Sequence, residues 1–123
     1  MRCLVTGGAG FIGSHIVDSL MNDGHTVRVL DNLSSGSLSN IIGHGNRIEF
    51  IRGDVCDFET DLTACAEIDV VFHEAAIASV SQSQSDPTGT YNVNVTGTAN
   101  LLEAAGQQGI KHFIVAATAA IYG

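Results

Sequence analysis

The sequence predicts an α/β fold, a doubly wound parallel sheet covered by helices on both faces. Three observations lead to this class. Short apolar runs, typical of buried strands, alternate with longer segments of helical periodicity. A glycine-rich turn joins the first apolar run to the first helical segment, and an acid, Asp31, closes the second run. These features are typical of a Rossmann-type sheet, for which we expect five strands in the order 3-2-1-4-5, with the later strands of such a sheet absent.

The glycine turn within residues 5–14 is the centre of the prediction. Gly8-x-Gly10-x-x-Gly13 fits the dinucleotide fingerprint, and Gly7-x-x-Gly10-x-x-Gly13 fits its variant with a wider first gap. The first glycines permit a tight turn, Gly10 admits a pyrophosphate close to the backbone, and Gly13 lets the helix pack closely. The phosphates would lie on the N–H groups of the helix N-terminus. The alternative is a strand–helix unit with a glycine turn and no ligand.

The first helix is predicted to carry Ile12, Ile16 and Leu20 on its apolar stripe and to end at Gly24. The second strand closes on Asp31, near the spacing expected of a carboxylate that binds ribose hydroxyls. A 2′-phosphate would meet this negative charge with no arginine to offset it, which favours NAD over NADP. Alternatively, Asp31 caps a turn or a helix.

The third strand is predicted at 47–52, where polar and apolar residues alternate. The acid that follows it, Asp54, is placed either to contact an adenine amino group or to cap the next helix. We expect that helix over 58–67, with Leu62, Cys65 and Ala66 facing inward.

The fourth strand is predicted at 69–73, an almost continuous apolar run that suits a sheet covered on both faces. Ala75 and Ala76 follow at the point where the strand order reverses, and their small side chains would let a cofactor lie close. We interpret His73, at the strand end, as a packed histidine rather than a catalytic one.

A polar loop at 79–85 precedes a helix that Asp86 caps and that runs to about Gln108. The apolar face of this helix is predicted to use five side chains, those of Tyr91, Val95, Leu101, Leu102 and Ala105. Residues 92–98 are poor helix formers, so we expect Gly97 to pack closely and Asn94 to have a hydrogen-bonding role. A fifth strand at 111–117 places Thr118 at its carboxyl end.

Composition and charge narrow the class of protein. The chain has 123 residues, enough for one domain, with 45% hydrophobic residues and a net charge of −8. The five basic residues are scattered, so no nucleic-acid partner is expected, and no apolar run is long enough to cross a membrane. Three cysteines without CxxC spacing suit a reducing cytoplasm, and the dispersed histidines predict no metal site.

Six segments in this order and spacing resemble the extended short-chain dehydrogenase/reductase family and, within its NAD-dependent epimerase/dehydratase group, the UDP-glucose 4-epimerases. They lie at 6–15, 31–36, 53–55, 73–76, 94–98 and 121–123, and the resemblance covers the whole chain. It implies that NAD takes a hydride from C4 of a nucleotide sugar and returns it to the other face. The expected partner is therefore a nucleotide sugar, most simply a UDP-hexose of galactose metabolism.

The resemblance also implies roles for individual residues. Phe11 and Ile12 would lie at the pyrophosphate, Asp31 at the adenosine ribose, and Asp54 at the adenine. Thr118 matches the active-site Ser/Thr that hydrogen-bonds the sugar hydroxyl. The full set of expected cofactor-binding residues is Gly7, Gly10, Phe11, Ile12, Gly13, Asp31, Asn32, Ser34, Ser35, Gly36, Asp54, Val55, Ala75, Ala76 and Asn94.

Two departures from the family pattern limit what this chain is expected to do. Ala119 and Ala120 replace the acid pair of the related dehydratases, which disfavours dehydration. The Tyr-x-x-x-Lys motif is absent, because Tyr122 is followed only by Gly123. We therefore expect 1–123 to be an incomplete NAD-binding domain without its substrate domain, inactive alone and able to form a homodimer.

Two other functions remain open at this stage. One is a dinucleotide-binding module that does not catalyse, which the missing tyrosine and lysine favour. The other is a different nucleotide-sugar enzyme of the family, such as a decarboxylase, a reductase or a 4-epimerase of another hexose. The loop at 79–85 lacks the basic residue expected of the closest epimerases, which leaves the sugar undetermined.

Overall fold

A computed structural model describes residues 1–75 and 85–115 of the chain. These residues form a five-stranded sheet in the order β3-β2-β1-β4-β5, and all neighbouring strands are parallel. The predicted fold class and strand order are thereby confirmed. The strands are β1 (Arg2–Thr6), β2 (Thr26–Asp31), β3 (Ile48–Arg52), β4 (Val70–His73) and β5 (His112–Val115).

Strand β1 lies at the centre of the sheet because it is apolar on both faces. Its middle residues Cys3, Leu4 and Val5 are fully buried, as expected of a parallel strand between two layers of helices. At its carboxyl end, Thr6 lies opposite Leu30 of β2 and His73 of β4. The ends of the three central strands therefore meet at one edge, the edge at which such sheets bind ligands.

Helix α1 (Phe11–Asn22) packs through a face centred on Val17, which is fully buried. Ile16 and Leu20 only border this part of the core. Ile12 is 57% exposed, so the expectation that it faces inward is wrong. The reason is that Gly13, the next residue, is the one held against the glycine turn, which directs Ile12 outward.

The predicted glycine end of α1 is confirmed. Gly24 has a φ of +82°, a conformation that glycine adopts without strain. Its N–H donates to the carbonyl of Met21, and the N–H of His25 donates to that of Leu20. This pair of bonds is the Schellman arrangement, which satisfies the last carbonyls of the helix.

Helix α2 (Phe58–Cys65) is capped at both ends by side chains. The Asp57 carboxylate accepts the N–H of Glu59 at the start of the helix. At the other end, Arg28 of β2 donates to the carbonyl oxygens of Ala64 at 2.7 Å and Ala66 at 2.8 Å. The buried guanidinium thus fixes α2 against the sheet.

The inward face of α2 differs from the predicted one. Asp61, Ala64 and Cys65 are buried, whereas Leu62 and Ala66 are only partly so. Apolar periodicity placed Cys65 correctly, and Leu62 packs against the same core as a partly buried side chain. Ala66 is less buried than predicted, and the buried carboxyl group of Asp61 was not predicted.

Among the described residues, no hydrogen bond offsets the cost of burying the carboxyl group of Asp61. Neither of its oxygens has a hydrogen-bond partner among the described residues. Burial raises the pKa of Asp61 to about 8, and the nearby charges of Asp57 and Asp54 add to this effect. The group is therefore protonated at neutral pH.

The segment predicted as one helix after Asp86 is divided. Asp86 accepts the N–H of Gly89, as predicted for a cap. Helix α3 (Pro87–Tyr91) then leads into a π-helical segment (Asn92–Thr96) and helix α4 (Gly97–Gln107). The poor helix formers predicted to disturb the helix thus adopt the wider π-helical turn, which often occurs at functional sites.

Helix α4 packs on the sheet through Leu101 and Ala105, as predicted, and through Gly97, which is buried. Val95 and Leu102 are about half exposed, at 49% and 48%, so their predicted place on the buried face is wrong. Val95 lies in the π-helical segment, whose wider turn changes its angular position relative to α4, whereas Leu102 lies within α4 next to the buried Leu101.

Strand β5 is an edge strand, as expected, with Ile114 and Val115 about half exposed. The core has two parts, one on each face of the sheet: one includes Leu4, Leu101 and α2, the other Val5 and Val17. Among the described residues, no helix is both long enough and apolar enough to cross a membrane.

Asp61 predicts an unusual dependence of stability on pH. Its pKa is about 8 in the folded chain and 3.8 as a free side chain, so the folded state retains a proton that the unfolded state releases. The contribution of Asp61 to the free energy of unfolding should therefore fall as the pH rises from 4 to 8. Asp61→Asn should stabilise the chain by about 2 kcal/mol at pH 8 and have little effect at pH 4.

Urea unfolding of both chains at the two pH values measures this difference. Glu67→Gln is the matched control, because Glu67 is an exposed acid whose removal should change stability little at either pH. A stabilisation by Asp61→Asn that is equal at pH 4 and pH 8 would contradict a buried, protonated carboxyl group.

Candidate functional site

The glycine turn connects β1 to α1 in a conformation that side chains would prevent. Gly7 has a φ of +68°, and a Cβ on it would lie 2.9 Å from the backbone nitrogen of Ala75 after β4. A Cβ on Gly13 would lie 2.1 Å from the carbonyl oxygen of Gly7. Close backbone packing therefore requires glycine at both positions, and the positive φ of Gly7 favours glycine there independently.

The N-terminus of α1 is open. Gly10 is the N-cap and has no side chain to accept the first N–H groups of the helix. A Cβ on Gly10 would meet only the carbonyl oxygen of Gly7, at 3.3 Å. Phe11 and Ile12, the first helical residues, are 76% and 57% exposed. A helix end of this kind attracts an anion such as a phosphate.

Asp31 joins the end of β2 to the glycine turn. One oxygen of its carboxylate accepts the N–H of Ala9 at 2.9 Å, and the other accepts the N–H of Leu33 at 2.8 Å. The residue is only 8% exposed. A carboxylate has about four acceptor positions, so two remain for hydroxyl donors beside the turn.

The loop after β2 folds back onto the same turn. Ser37 donates its N–H to the carbonyl of Ala9 at 3.0 Å, and the Asn40 side chain donates to the same oxygen at 2.7 Å. A Cβ on Gly36 would lie 2.8 Å from the carbonyl carbon of Ala9. The loop thus borders the site, and the backbone of Ala9 leaves no space for a side chain at position 36.

Three other predicted residues of this loop are exposed. Asn32 uses its side-chain oxygen to accept the N–H of Ser34 at 3.0 Å, which turns the chain. Ser34 and Ser35 present their hydroxyl groups on the exposed surface of the loop. Their side chains are available to a ligand at this edge of the sheet.

Asp54 lies beside Asp31 because Gly53 donates its N–H to the Asp31 carbonyl at 3.2 Å. The Asp54 carboxylate accepts the N–H of Cys56 at 2.9 Å and does not cap α2, so the capping alternative is wrong for this residue. The Val55 side chain is 4% exposed within the core. Any contact of Val55 with a ligand would therefore use its backbone.

Cys56 is not an activated thiol. Burial and the neighbouring Asp54 raise its pKa to about 11, so the thiol stays protonated at neutral pH. Its carbonyl accepts the Asn100 side-chain N–H at 3.0 Å, which ties the loop after β3 to α4.

The end of β4 approaches the glycine turn from the other side. The Thr6 hydroxyl oxygen accepts the N–H groups of both Glu74 and Ala75, each at 3.1 Å. Burial raises the pKa of Glu74. These two bonds from Thr6 hold the backbone of Ala75 directly against Gly7.

His73 connects β1 to α4 through its two ring nitrogens. Nδ1 lies 2.6 Å from the Thr6 hydroxyl, and Nε2 lies 2.8 Å from the Thr98 hydroxyl. The ring is 4% exposed, and burial lowers its pKa to about 4. The prediction that His73 is packed at the strand end is confirmed.

Asn94 lies in the π-helical segment, and its backbone carbonyl accepts the Thr98 hydroxyl at 2.8 Å. Ala76 and Thr118, and positions 79–84 of the predicted loop, lie outside the described residues. Within 1–75 and 85–115, no group of three or more His, Cys, Asp or Glu side chains is arranged to hold a metal ion.

Sequence reasoning missed three residues of the site. Ala9 supplies the N–H that Asp31 accepts, and Thr6 and Thr98 hold His73. Two signals in the sequence could have pointed to these residues. Thr6 directly precedes the glycine turn, and Thr98 lies in a stretch of poor helix formers. Neither signal shows that the threonine hydrogen-bonds to His73.

The arrangement as a whole defines a dinucleotide-binding α/β domain. It combines an open helix N-terminus, a carboxylate beside it with free acceptor positions, and a crevice where the strand order reverses. These residues fit a pyrophosphate and an adenosine ribose.

Comparison with known proteins identifies the family. The NAD dependent epimerase/dehydratase family matches residues 3–123. The chain belongs to this family, which confirms the predicted resemblance and NAD as the cofactor.

Individual relatives agree with this assignment. The chain is 44% identical to a UDP-glucose 4-epimerase of Mycolicibacterium smegmatis, with all of this chain and 41% of the relative covered. It is 40% identical to UDP-glucuronic acid decarboxylase 1 of Danio rerio, and the match covers 99% of this chain and 28% of the relative. Among solved structures, the chain is similar to a crystal structure of a UDP-glucose-4-epimerase from Stenotrophomonas maltophila with bound NAD and formylated UDP-arabinopyranose. The TM-score is 0.93 at 34% sequence identity, and the match covers 100% of this chain and 38% of the epimerase chain. The chain thus spans about two fifths of the length of these epimerases.

His73 predicts a loss of stability in acid. Its pKa is about 4 in the folded chain and 6.5 as a free side chain, so the unfolded state binds the additional proton between these values. Its contribution to stability should be complete above pH 6.5 and should be lost as the pH falls to 4, at up to about 1.4 kcal/mol per pH unit. His73→Gln should remove this part of the pH dependence.

Urea unfolding at pH 4.5, 5.5 and 7 measures the effect. His112→Gln is the matched control, since His112 is an exposed histidine at the start of the adjacent strand. If His73→Gln and the unmodified chain lose stability in parallel with falling pH, the buried neutral ring is not the cause.

Proposed function

We propose that this chain is the NAD-binding portion of a nucleotide-sugar 4-epimerase that acts on a UDP-hexose. The observation that carries the proposal is the Asp31 carboxylate held on the N–H of Ala9, beside the open N-terminus of α1. Family membership and the names of the relatives support it. When bound, NAD would accept a hydride from C4 of the sugar and return it to the opposite face.

The first role of the chain is to bind the pyrophosphate. The N–H groups of Phe11 and Ile12 point out of the start of α1, where the helix dipole favours negative charge. The absence of side chains at Gly7, Gly10 and Gly13 lets the phosphates approach the backbone. No lysine or arginine is required for this contact.

The second role is to select the adenosine. The free acceptor positions of Asp31 would take the ribose hydroxyls, and its charge would repel a 2′-phosphate. Asp54 and the backbone of Val55 would border the adenine. The loop residues Asn32, Ser34, Ser35 and Gly36 would enclose the ribose from the exposed side.

The remaining proposed contacts concern the nicotinamide half and the sugar. Ala75 and Ala76 would lie along the cofactor, and Asn94 would hydrogen-bond near it. Thr118 would hydrogen-bond the sugar hydroxyl that loses its proton. The family resemblance supports these roles.

We propose that residues 1–123 form an incomplete NAD-binding domain. The Tyr-x-x-x-Lys motif, whose tyrosine is expected to transfer the proton and whose lysine is expected to lower the pKa of that tyrosine, is not in this sequence, so oxidation of the sugar has no base here. A cytoplasmic location and a homodimer formed through the helices of 87–108 belong to the same proposal.

A second candidate function is a UDP-glucuronic acid decarboxylase. The 40% identity to such an enzyme supports it, and decarboxylation would begin with the same binding of NAD. The NAD site predicted here is common to both, so the two candidates differ in the sugar.

Cofactor selection gives a direct test of the site. The unmodified chain should bind NAD at least about tenfold more tightly than NADP, and Asp31→Asn should weaken NAD binding about tenfold and reduce the preference. The asparagine keeps one oxygen to accept the N–H of Ala9 or Leu33, so the turn is disturbed less than by alanine. Calorimetric titration with each dinucleotide measures both effects.

Asp69→Asn is the matched control for this experiment. Asp69 also accepts a backbone N–H, that of Arg2 at 2.8 Å, but lies at the amino-terminal edge of the sheet, so NAD binding should not change. Equal affinity of the unmodified chain for NAD and NADP would contradict the role given to Asp31.

Activity of the chain is a separate question. The purified chain should not convert UDP-galactose to UDP-glucose, because it lacks the proton-transfer tyrosine and lysine. A coupled assay with saturating NAD measures this, and a full-length epimerase is the positive control. Clear turnover by the 123-residue chain would refute the assignment of an incomplete enzyme.

A further inference from the structure

A continuous line of side-chain hydrogen bonds crosses the sheet from the glycine turn to the π-helical segment. It runs from the Thr6 hydroxyl to His73 at 2.6 Å, from His73 to the Thr98 hydroxyl at 2.8 Å, and from Thr98 to the Asn94 carbonyl at 2.8 Å. His73 is 4% exposed and Thr6 is fully buried. We call this set of four residues the Thr6–Asn94 relay.

The direction of every proton in the relay follows from Thr6. A hydroxyl group has one donor and two acceptor positions. The Thr6 oxygen already accepts the N–H groups of Glu74 and Ala75. Its remaining bond must therefore be the donated one, and its O–H donates to Nδ1 of His73.

The other half of the relay is fixed in turn. A neutral imidazole that accepts at Nδ1 carries its proton on Nε2, so His73 donates from Nε2 to the Thr98 hydroxyl oxygen. Thr98 then donates its own O–H to the Asn94 carbonyl. A second proton on His73 would lie on Nδ1. This N–H would face the Thr6 O–H, so that two donors would point at each other.

The relay joins three places that the proposed function assigns to the cofactor. Thr6 precedes Gly7 and fixes the N–H of Ala75, while Thr98 fixes the carbonyl of Asn94. The Phe113 ring lies against the His73 ring, with a centroid distance of 5.9 Å, and limits its rotation.

We propose that His73 is a positioning residue, which holds the glycine turn and the π-helical segment in register through Thr6 and Thr98. The effect on the cofactor rests on the proposed function, but the mechanical link does not. Removing the Thr98 hydroxyl should therefore loosen backbone groups on the far side of His73, at Glu74 and Ala75. A purely local role of Thr98 in its own helix would leave those groups unchanged.

The test is amide hydrogen exchange of the chain with Thr98→Val, which removes the hydroxyl at nearly constant shape. The N–H of Ala75 should exchange about tenfold faster relative to interior amides of α1, as expected for the loss of about one hydrogen bond. The N–H of Glu74 should change less, because it also donates to the Thr6 carbonyl at 3.1 Å. Thr98→Ser, which keeps the hydroxyl, should restore the slower exchange. In a chain that binds NAD, Thr98→Val should also raise the Kd for NAD about tenfold, and Thr98→Ser should not.

Thr63→Val is the matched control. Thr63 donates to the carbonyl of Glu59 one turn earlier, as Thr98 does to Asn94, but it contacts no histidine. This variant should leave the exchange of Glu74 and Ala75 unchanged. The ¹⁵N shifts of the His73 ring in the unmodified chain provide a second measurement, which requires no variant to fold and should show the proton on Nε2.

The outcomes separate the relay from the proposed function. Unchanged exchange of Glu74 and Ala75 in Thr98→Val, or a proton on Nδ1 in the unmodified chain, would overturn the relay. Failure of the unmodified chain to bind NAD would count against the proposed function alone, since the exchange and ¹⁵N measurements do not involve NAD.

Discussion

The close packing of backbone around Gly7 is the constraint on which the rest of the site depends. A Cβ on Gly7 would contact the chain after β4, and one on Gly13 would contact the carbonyl oxygen of Gly7. A Cβ on Gly36 would contact the turn from the loop after β2. Three segments thus meet where no side chain fits, and the same lack of side chains lets a ligand reach the backbone.

Hydrogen bonds then fix what the close packing allows. The Asp31 carboxylate holds the turn through Ala9, and Thr6 holds the end of β4 through Glu74 and Ala75. The residue proposed to select NAD is thereby also part of the framework of the turn. Asp31 therefore contributes both to the proposed ligand binding and to the local stability of the turn. For this reason Asp31→Asn, which removes the charge and keeps most of the side chain, tests the binding role better than replacement by alanine.

Much of the fold could be predicted because it depends on local patterns. The alternation of apolar runs with helical segments, together with the glycine turn, predicted the strand order that the structure shows. The acid after β2 was predicted to lie beside the glycine turn, where its carboxylate accepts the N–H of Ala9. Three features could not be predicted. Asp61 occupies a core position to which the apolar pattern assigns no carboxyl group, and Ile12 is turned outward by the packing of Gly13. The partners of His73 lie 67 and 25 residues away in the chain, beyond any local pattern.

The most direct test of the account is a map of backbone amide shifts on titration of the ¹⁵N-labelled chain with NAD. The account predicts that shifts concentrate in the glycine turn, the start of α1, the loop at 32–36 and residues 53–55, all at the carboxyl edge of the sheet. Amides at the opposite edge, such as Asp69, should not move. Saturation by NAD with shifts at the amino-terminal edge, or no shifts at millimolar NAD, would contradict a dinucleotide site built on the glycine turn.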